Sequence, residues 1–206
     1  SKKKAFVVGV NVSNSLSPTI FNYWFNKYKI EAEYGYIQIK EENFDNEIKL
    51  ILKEKDLIGL NITMPYKEKI IPHLITGASQ NVLKNKNLAL SNSAKKIGAV
   101  NWIYKKPNDQ NSWIGNNSDW FGFMKSVELF VGPIEKNKNR NIAIIIGYGG
   151  AAKAIIYSLY SMGYKIIKIF NRSINKISNN FINTFHGSEI KAYKLEQLEK
   201  HTYNAS

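Results

Sequence analysis

The sequence predicts an α/β fold in two parts, an N-terminal domain over residues 1–131 with a mostly parallel sheet and a second α/β domain over residues 132–206. Three observations carry this. Short apolar runs alternate with stretches of helical periodicity in the order strand, helix, strand, helix, strand, and that alternation builds a parallel sheet with helices on its faces. A glycine-rich turn, GYGGAA at 147–152, stands between an isoleucine run and a second helical stretch, which is the setting of a βα unit. Between the two parts lies VGPIEKNKNRN at 131–141, with glycine, proline and then charge, the composition of a linker.

The elements follow in order. AFVVGV at 5–10 is an apolar run that reads as a buried strand, and a polar loop follows it. Pro18 marks a helix start, with Ser17 as its N-cap, ahead of the helical spacing in TIFNYWFNKYKI. YGYIQI at 34–39 alternates as a strand, and 44–54 places Phe44, Ile48, Ile51 and Leu52 on one helical face. LIGLNIT at 57–63 is the next strand, and YKEKIIPHL a short helix. The polar stretch 75–96 supports no element. Residues 98–106 and 112–118 read as strands joined around Pro107-Asn108-Asp109, and 119–130 as a helix capped by Ser118 or Asp119. Beyond the linker, 142–146 is a strand and AKAIIYSLYSM a helix stopped by Gly163. A strand at 165–170, a helix from about Ser173 and a short element near 194–200 complete the second part.

Composition narrows the function. The net charge of +13 comes almost wholly from lysine, with Arg140 and Arg172 the only arginines. Arginine is the residue that reads phosphates and bases bidentately, and the lysines are spread along the chain, so no nucleic-acid partner is expected. There is no cysteine, and His73, His186 and His201 lie far apart, so no metal site is expected. No apolar run approaches a membrane span, and SKKKAFVVGV lacks a cleavage site. The expected location is the cytoplasm, with no membrane partner.

The GYGGAA turn fits G-x-G-x-x-A through Gly147, Gly149 and Ala152. Such a turn opens a helix whose N–H groups, from Tyr148, Gly150 and Ala151 onward, meet a pyrophosphate, as in a Rossmann-like domain. The end of the next strand carries Asn171, Arg172 and Ser173, with Lys176 beyond. An acid there holds a ribose 2′-hydroxyl, whereas a guanidinium suits a 2′-phosphate, so the cofactor expected is NADP. In the first part, NITMPYK at 61–67 carries Asn61, Thr63 and Lys67 out of the end of an apolar strand, where open α/β sheets bind ligands. Lys67 also has an ordinary reading as a solvated lysine, and Asp119 one as a helix cap.

SNSLSP, NITMPYK, GAVN, GNNSDWFGF, GYGGAA and NRS, in that order, resemble the shikimate dehydrogenase family from about Val8 to Lys176. The resemblance implies a substrate domain and a cofactor domain with a cleft between them. It implies reversible hydride transfer between NADP and a hydroxyl-bearing ring carbon, interconverting shikimate and 3-dehydroshikimate on the route to chorismate and the aromatic amino acids. On that resemblance Ser15 and Ser17 hold the substrate carboxylate, and Asn61, Thr63, Asn101 and Asp119 surround the ring hydroxyls. Lys67 and Asp119 form the catalytic pair. A relative acting on quinate or another cyclitol, and a ligand-binding relative without turnover, stay open as alternatives; the paired serines favour shikimate. The partner expected is the small-molecule substrate, the assembly a monomer or homodimer. The chain departs from the family pattern at Asn14, Trp102, Ser118 and Tyr148, where His, Thr, Thr and Ala are usual. Tyr148 is expected to crowd the pyrophosphate and Trp102 to alter the cleft. The family continues past the point where HTYNAS stops, which implies a second domain truncated at its C-terminus.

Overall fold

The computed structural model describes residues 2–76, 89–107, 109–131 and 142–202. The backbone gathers into two compact units, Ser1–Ala94 with Val100–Asn116, and Lys95–Ala99 with Asn117–Ser206. Sequence composition sets the division at 131/132. By contact the helix at 119–131 groups with the second unit, since it packs on a helix there.

The first unit follows the strand–helix alternation read from the sequence. Strands β1 (Lys3–Gly9), β2 (Ala32–Gln38) and β3 (Leu57–Ile62) are linked by helices α1 (Ser17–Lys27) and α2 (Phe44–Ile51). Helix α3 (Ile71–Thr76) and helix α4 (Asn92–Ile97), whose last three residues group with the second unit, precede a hairpin of β4 (Trp102–Lys106) and β5 (Asp109–Asn116). The sheet order is β2-β1-β3-β4-β5, with β1 parallel to β2 and β3 and with β4 antiparallel to both its neighbours. Only β4 therefore runs against the others, and the carboxyl ends of β1, β2, β3 and β5 share one edge.

Alternation along β1 sorts the two faces. Val8 faces a core with Leu60, Ile62, Phe44, Ile48 and Ile103, while Val7 faces a smaller cluster with Tyr34, Phe21 and Phe25 from α1. Helices α1 and α2 thus cover opposite faces. Because β2 and β3 flank β1 on opposite sides, the carboxyl ends of β1 and β3 form a topological switch point, where α/β sheets open a binding crevice. The expected apolar face of α2 is in place, with Phe44 and Ile48 buried and Ile51 and Leu52 packed against the core. Helix α1 buries no residue fully, and its Ile20, Tyr23 and Trp24 are exposed.

The turn after β3 is anchored by Tyr66, fully buried and stacked on Phe44 with ring centroids 4.0 Å apart. Its hydroxyl donates to the Ile39 carbonyl at 2.6 Å. Burial pushes the phenol's pKa up, and Glu41, Glu42 and Glu47 add to the shift. Tyr66→Phe keeps the ring and leaves that carbonyl unpaired, which is expected to cost about 1–2 kcal/mol in urea unfolding. An unchanged unfolding midpoint would show that the anchor is the ring alone.

Two elements were unread in the sequence. Helix α4 begins in the stretch 75–96, of which residues 77–88 lie outside the described residues. Its start is fixed by Ser91, whose Oγ accepts from Ala94 N–H at 3.1 Å and donates to Asn116 Oδ1 at 2.7 Å.

In the second unit, helix α5 (Asp119–Val131) leads to strand β6 (Ile142–Ile146), helix α6 (Gly150–Ser161), strand β7 (Ile166–Asn171), a short helix α7 (Asn179–Ile182), strand β8 (Glu189–Lys194) and helix α8 (Leu198–Thr202). The three strands pair in parallel in the order β6-β7-β8. The second unread element is β8, pinned to β7 residue by residue from Ile166↔Glu189 to Asn171↔Lys194. The helix expected from Ser173 is a single 3-10 turn, Ile174–Lys176, followed by α7. Helix α5 packs on α6 through Trp120, whose ring meets Tyr157 edge-on at 5.2 Å beside Ala154. Among the described residues no helix is long and apolar enough to cross a membrane, and no group of three or more His, Cys, Asp or Glu could hold a metal ion.

Candidate functional site

The carboxyl edge of the first sheet brings six of the sequence-predicted residues together. Val8, the penultimate residue of β1, accepts at its carbonyl the N–H of Thr63 at 3.0 Å, which locks the segment after β3 beside β1. Gly9 permits this approach, since a Cβ there would lie 2.5 Å from Thr63 Cγ2 and 2.8 Å from Val12 Cγ1. Asn61 and Thr63, two apart, project to the face of α1. Asn61 Oδ1 takes a hydrogen bond from the Tyr34 hydroxyl at 2.6 Å.

The loop after β1 carries the serines. Ser15 N–H donates to the Val12 carbonyl at 3.1 Å, and Ser15 Oγ accepts from Ser17 N–H at 3.2 Å. Ser17 was expected to cap α1. It is instead the first helical residue, with Leu16 at the cap position, Pro18 in the first turn and no side-chain cap bond there. Ser15 takes over the polar role at the helix start, since its hydroxyl lies one position outside the N-cap.

Lys67 and Asn101 are fixed through their backbones. The Tyr66 N–H donates to the Thr63 carbonyl at 2.9 Å, closing a turn around the cis Met64–Pro65 peptide. The Lys67 carbonyl then accepts Val100 N–H at 2.7 Å. Asn101 sits just before β4, where its carbonyl accepts Ile62 N–H at 2.8 Å and its N–H donates to Asn116 at 3.0 Å. Trp102, a departure from the family pattern, stacks on Tyr104 two residues along the same strand, with centroids 5.1 Å apart.

Asp119 belongs to the second unit as the first residue of α5. Its N–H donates to Asn117 Oδ1 at 3.0 Å, while Asn117 Nδ2 donates to the Ala99 carbonyl at 3.0 Å. Asn117 is buried, and it holds the start of α5 from both ends of its amide. The sequence pattern points to Ser118 or Asp119 as the cap, and the structure gives that role to Asn117. The signal was present, because an asparagine two residues before a helix is a ready Asx-turn acceptor.

The glycine turn is a tight link from β6 into α6. Gly147 has φ +104°, a region that side chains rarely enter, and its N–H donates to the Phe170 carbonyl at 2.7 Å, tying the turn to the end of β7. Gly149 is the extended N-cap of α6, and its carbonyl accepts Lys153 N–H at 3.0 Å. A Cβ at Gly147 or Gly149 would meet only open space, so the turn leaves room for a phosphate at the start of the helix, beside Gly150 and Ala151. Tyr148 was expected to crowd that space. Its ring instead belongs to the apolar cluster of this unit, edge-on to Phe181 at 5.7 Å with Lys153 Nζ 5.1 Å from its centroid.

Past the end of β7, Asn171 Nδ2 donates to the Ser173 carbonyl at 2.9 Å, and Lys176 N–H donates to the same carbonyl at 3.2 Å. Arg172, Ser173 and Lys176 are all exposed. Arg172 and Lys176 are thus two exposed cations on one short turn past β7, the strand next to the one that carries the glycine turn, and cations of this kind can meet a phosphomonoester.

Two family models match the chain. One, the shikimate dehydrogenase substrate binding domain, spans residues 7–103, and the other, shikimate / quinate 5-dehydrogenase, spans residues 133–206. The shikimate dehydrogenase of Thermotoga petrophila is 32% identical over 197 residues, covering 96% of this chain and 64% of its own length. The shikimate dehydrogenase (NADP(+)) of Clostridium beijerinckii is 34% identical over 192 residues, covering 91% of this chain and 61% of its own. Among solved structures, the shikimate dehydrogenase of Thermotoga maritima superposes with a TM-score of 0.69 at 30% identity, over 96% of this chain and 64% of the other. The chain thus spans less than two thirds of these relatives. With both family models matched in series and the motif-bearing segments folded as described, the chain belongs to the shikimate dehydrogenase family.

Proposed function

We propose that the protein interconverts shikimate and 3-dehydroshikimate with NADP as cofactor. Residues 1–131 act as the substrate and catalytic domain, and those from 132 onward as the dinucleotide domain. The observation that carries this reading is the gathering of Ser15, Ser17, Asn61, Thr63, Lys67 and Asn101 at one sheet edge, in a chain of this family.

The roles follow from chemistry. Shikimate is a ring carboxylate with several hydroxyls. The Ser15 and Ser17 hydroxyls donate to the carboxylate. Asn61, Thr63, Asn101 and Asp119 meet the ring hydroxyls with both donors and acceptors. The hydroxyl on the reacting carbon must lose its proton as that carbon is oxidised, and Lys67, oriented by Asp119, holds and moves that proton. The chemistry that NADP supplies when bound is acceptance of the hydride. Gly147, Tyr148, Gly149, Gly150 and Ala151 line its pyrophosphate through the turn and the start of α6. Asn171, Arg172, Ser173 and Lys176 hold its 2′-phosphate. Such an enzyme fits the cytoplasm, as a monomer or homodimer.

Shikimate binding by titration calorimetry, with quinate as the competing ligand, and shikimate-dependent NADP⁺ reduction by nicotinamide absorbance test the reading. Saturable shikimate binding, tighter than that of quinate, is the expected result. A protein that binds neither ligand would overturn it. For the cofactor, NADP⁺ is expected to bind better than NAD⁺. Arg172→Glu should lower NADP⁺ affinity roughly 10–100-fold, the value of a charge-assisted contact, and leave NAD⁺ affinity nearly unchanged. Equal affinity of the unaltered protein for both would remove the 2′-phosphate assignment.

A further inference from the structure

The geometry points to Tyr34 as a positioning residue that sets the amide orientation of Asn61, so that Asn61 offers its NH₂ group, a donor, to a substrate hydroxyl; this rests on the reading of Asn61 as a substrate-binding residue.

Tyr34 lies on β2, two strands from Asn61, with β1 between them. It is buried, and its ring stacks on Phe21 of α1 with centroids 4.4 Å apart and planes 8° from parallel. Its backbone is gripped by Asn22 of the same helix. Asn22 Nδ2 donates to the Tyr34 carbonyl at 2.8 Å, and Tyr34 N–H donates to Asn22 Oδ1 at 2.9 Å. Ring and backbone are both held, so the hydroxyl is delivered to one place, 2.6 Å from Asn61 Oδ1.

The contact runs from the phenol to the Asn61 amide oxygen, and its length suits that polarity. It falls in the range of O–H···O bonds and is short for N–H···O, whose usual separation is about 2.9–3.0 Å. Burial pushes the phenol well above its ordinary range, so it keeps its proton at working pH. With the oxygen engaged, the Asn61 NH₂ is the end left for a ligand. An unrestrained asparagine presents either end, and its two ends serve opposite partners. The tether therefore specifies an acceptor lone pair on the ligand. Helix α1, which grips Tyr34 through Phe21 and Asn22, also carries Ser17 at its first position. One helix thus sets both the serine end of the edge and the orientation of Asn61.

The test uses the unaltered protein with Tyr34→Phe, Asn61→Ala and the double variant, shikimate as the probe, and calorimetry as the readout. Tyr34→Phe keeps the stack on Phe21 and is expected to weaken shikimate binding roughly three- to tenfold, the worth of one hydrogen bond. Asn61→Ala should weaken binding at least as much, and adding Tyr34→Phe to it should change nothing further, because Tyr34 acts only through Asn61. A purely structural tyrosine would give losses that add. In ¹⁵N spectra of the unaltered protein, the Asn61 side-chain amide should shift on adding shikimate. That measurement does not depend on any variant folding. Shikimate binding with Tyr34→Phe indistinguishable from the unaltered protein, or additive losses in the double variant, would each overturn the inference and leave the proposed function standing; an unmoved Asn61 amide would overturn the inference and also remove Asn61 from the proposed substrate contacts. An unaltered protein that does not bind shikimate would overturn both.

Discussion

Replacing Lys67 by alanine is expected to lower kcat for shikimate oxidation on the order of 10²–10⁴-fold, the range for loss of a positioned acid–base group. KM should rise only modestly, because moving the hydroxyl proton matters most in the transition state. The local structure explains how a lysine on a turn can serve in this way. Tyr66 anchors one side of it in the core, and the Val100 N–H holds its carbonyl. The backbone at Lys67 is therefore held from both sides, although it lies outside regular structure. A positioned group needs such support, since a small displacement costs much of its effect. Steady-state kinetics of Lys67→Ala on shikimate, with shikimate affinity measured in parallel, check this. A variant with near-normal kcat would make Lys67 a binding residue at most.

The strands of the first unit and the helices between them were legible because each carries a periodicity that burial enforces. Val7 and Val8 go to opposite faces of the sheet, and Phe44 with Ile48 marks the inner side of α2. What the sequence hid is short or lies where polar side chains, rather than apolar periodicity, define the element. Helix α4 has six residues and is set by the Ser91 hydroxyl and its bond to Asn116. Strand β8 has six residues, and its charged–apolar alternation runs only from Glu189 to Ala192, with Ile190 buried and Lys191 exposed. At the site, the string NITMPYK displays Asn61, Thr63 and Lys67. It cannot display Tyr34 or Asn22, because their link to Asn61 crosses three elements and is made by folding. Tyr148 shows the reverse error. In sequence it is a bulky residue inside a glycine turn; in the structure its half-buried ring packs against the apolar cluster beside Phe181.

Asp119→Asn is expected to be nearly as damaging as loss of Lys67, with a fall in kcat/KM on the order of 10²–10³-fold and little change in stability. The stability expectation comes from the helix start. Asn117 holds α5 through the Asp119 N–H and the Ala99 carbonyl, and the first of these bonds does not depend on the Asp119 side chain. An amide at 119 retains an acceptor oxygen and fits the same volume, but it loses the charge that orients an ammonium and exchanges one acceptor for a donor. The loss should therefore appear in catalysis rather than in folding. Combining Asp119→Asn with Lys67→Ala should cost far less than the product of the single losses, because two groups that act as one unit can be removed only once. Kinetics of the two single variants and the double variant, alongside their melting temperatures, decide the matter. Strictly multiplicative losses would show two independent contributions and dissolve the pair. A large drop in melting temperature for Asp119→Asn would return that carboxylate to the role of a helix cap.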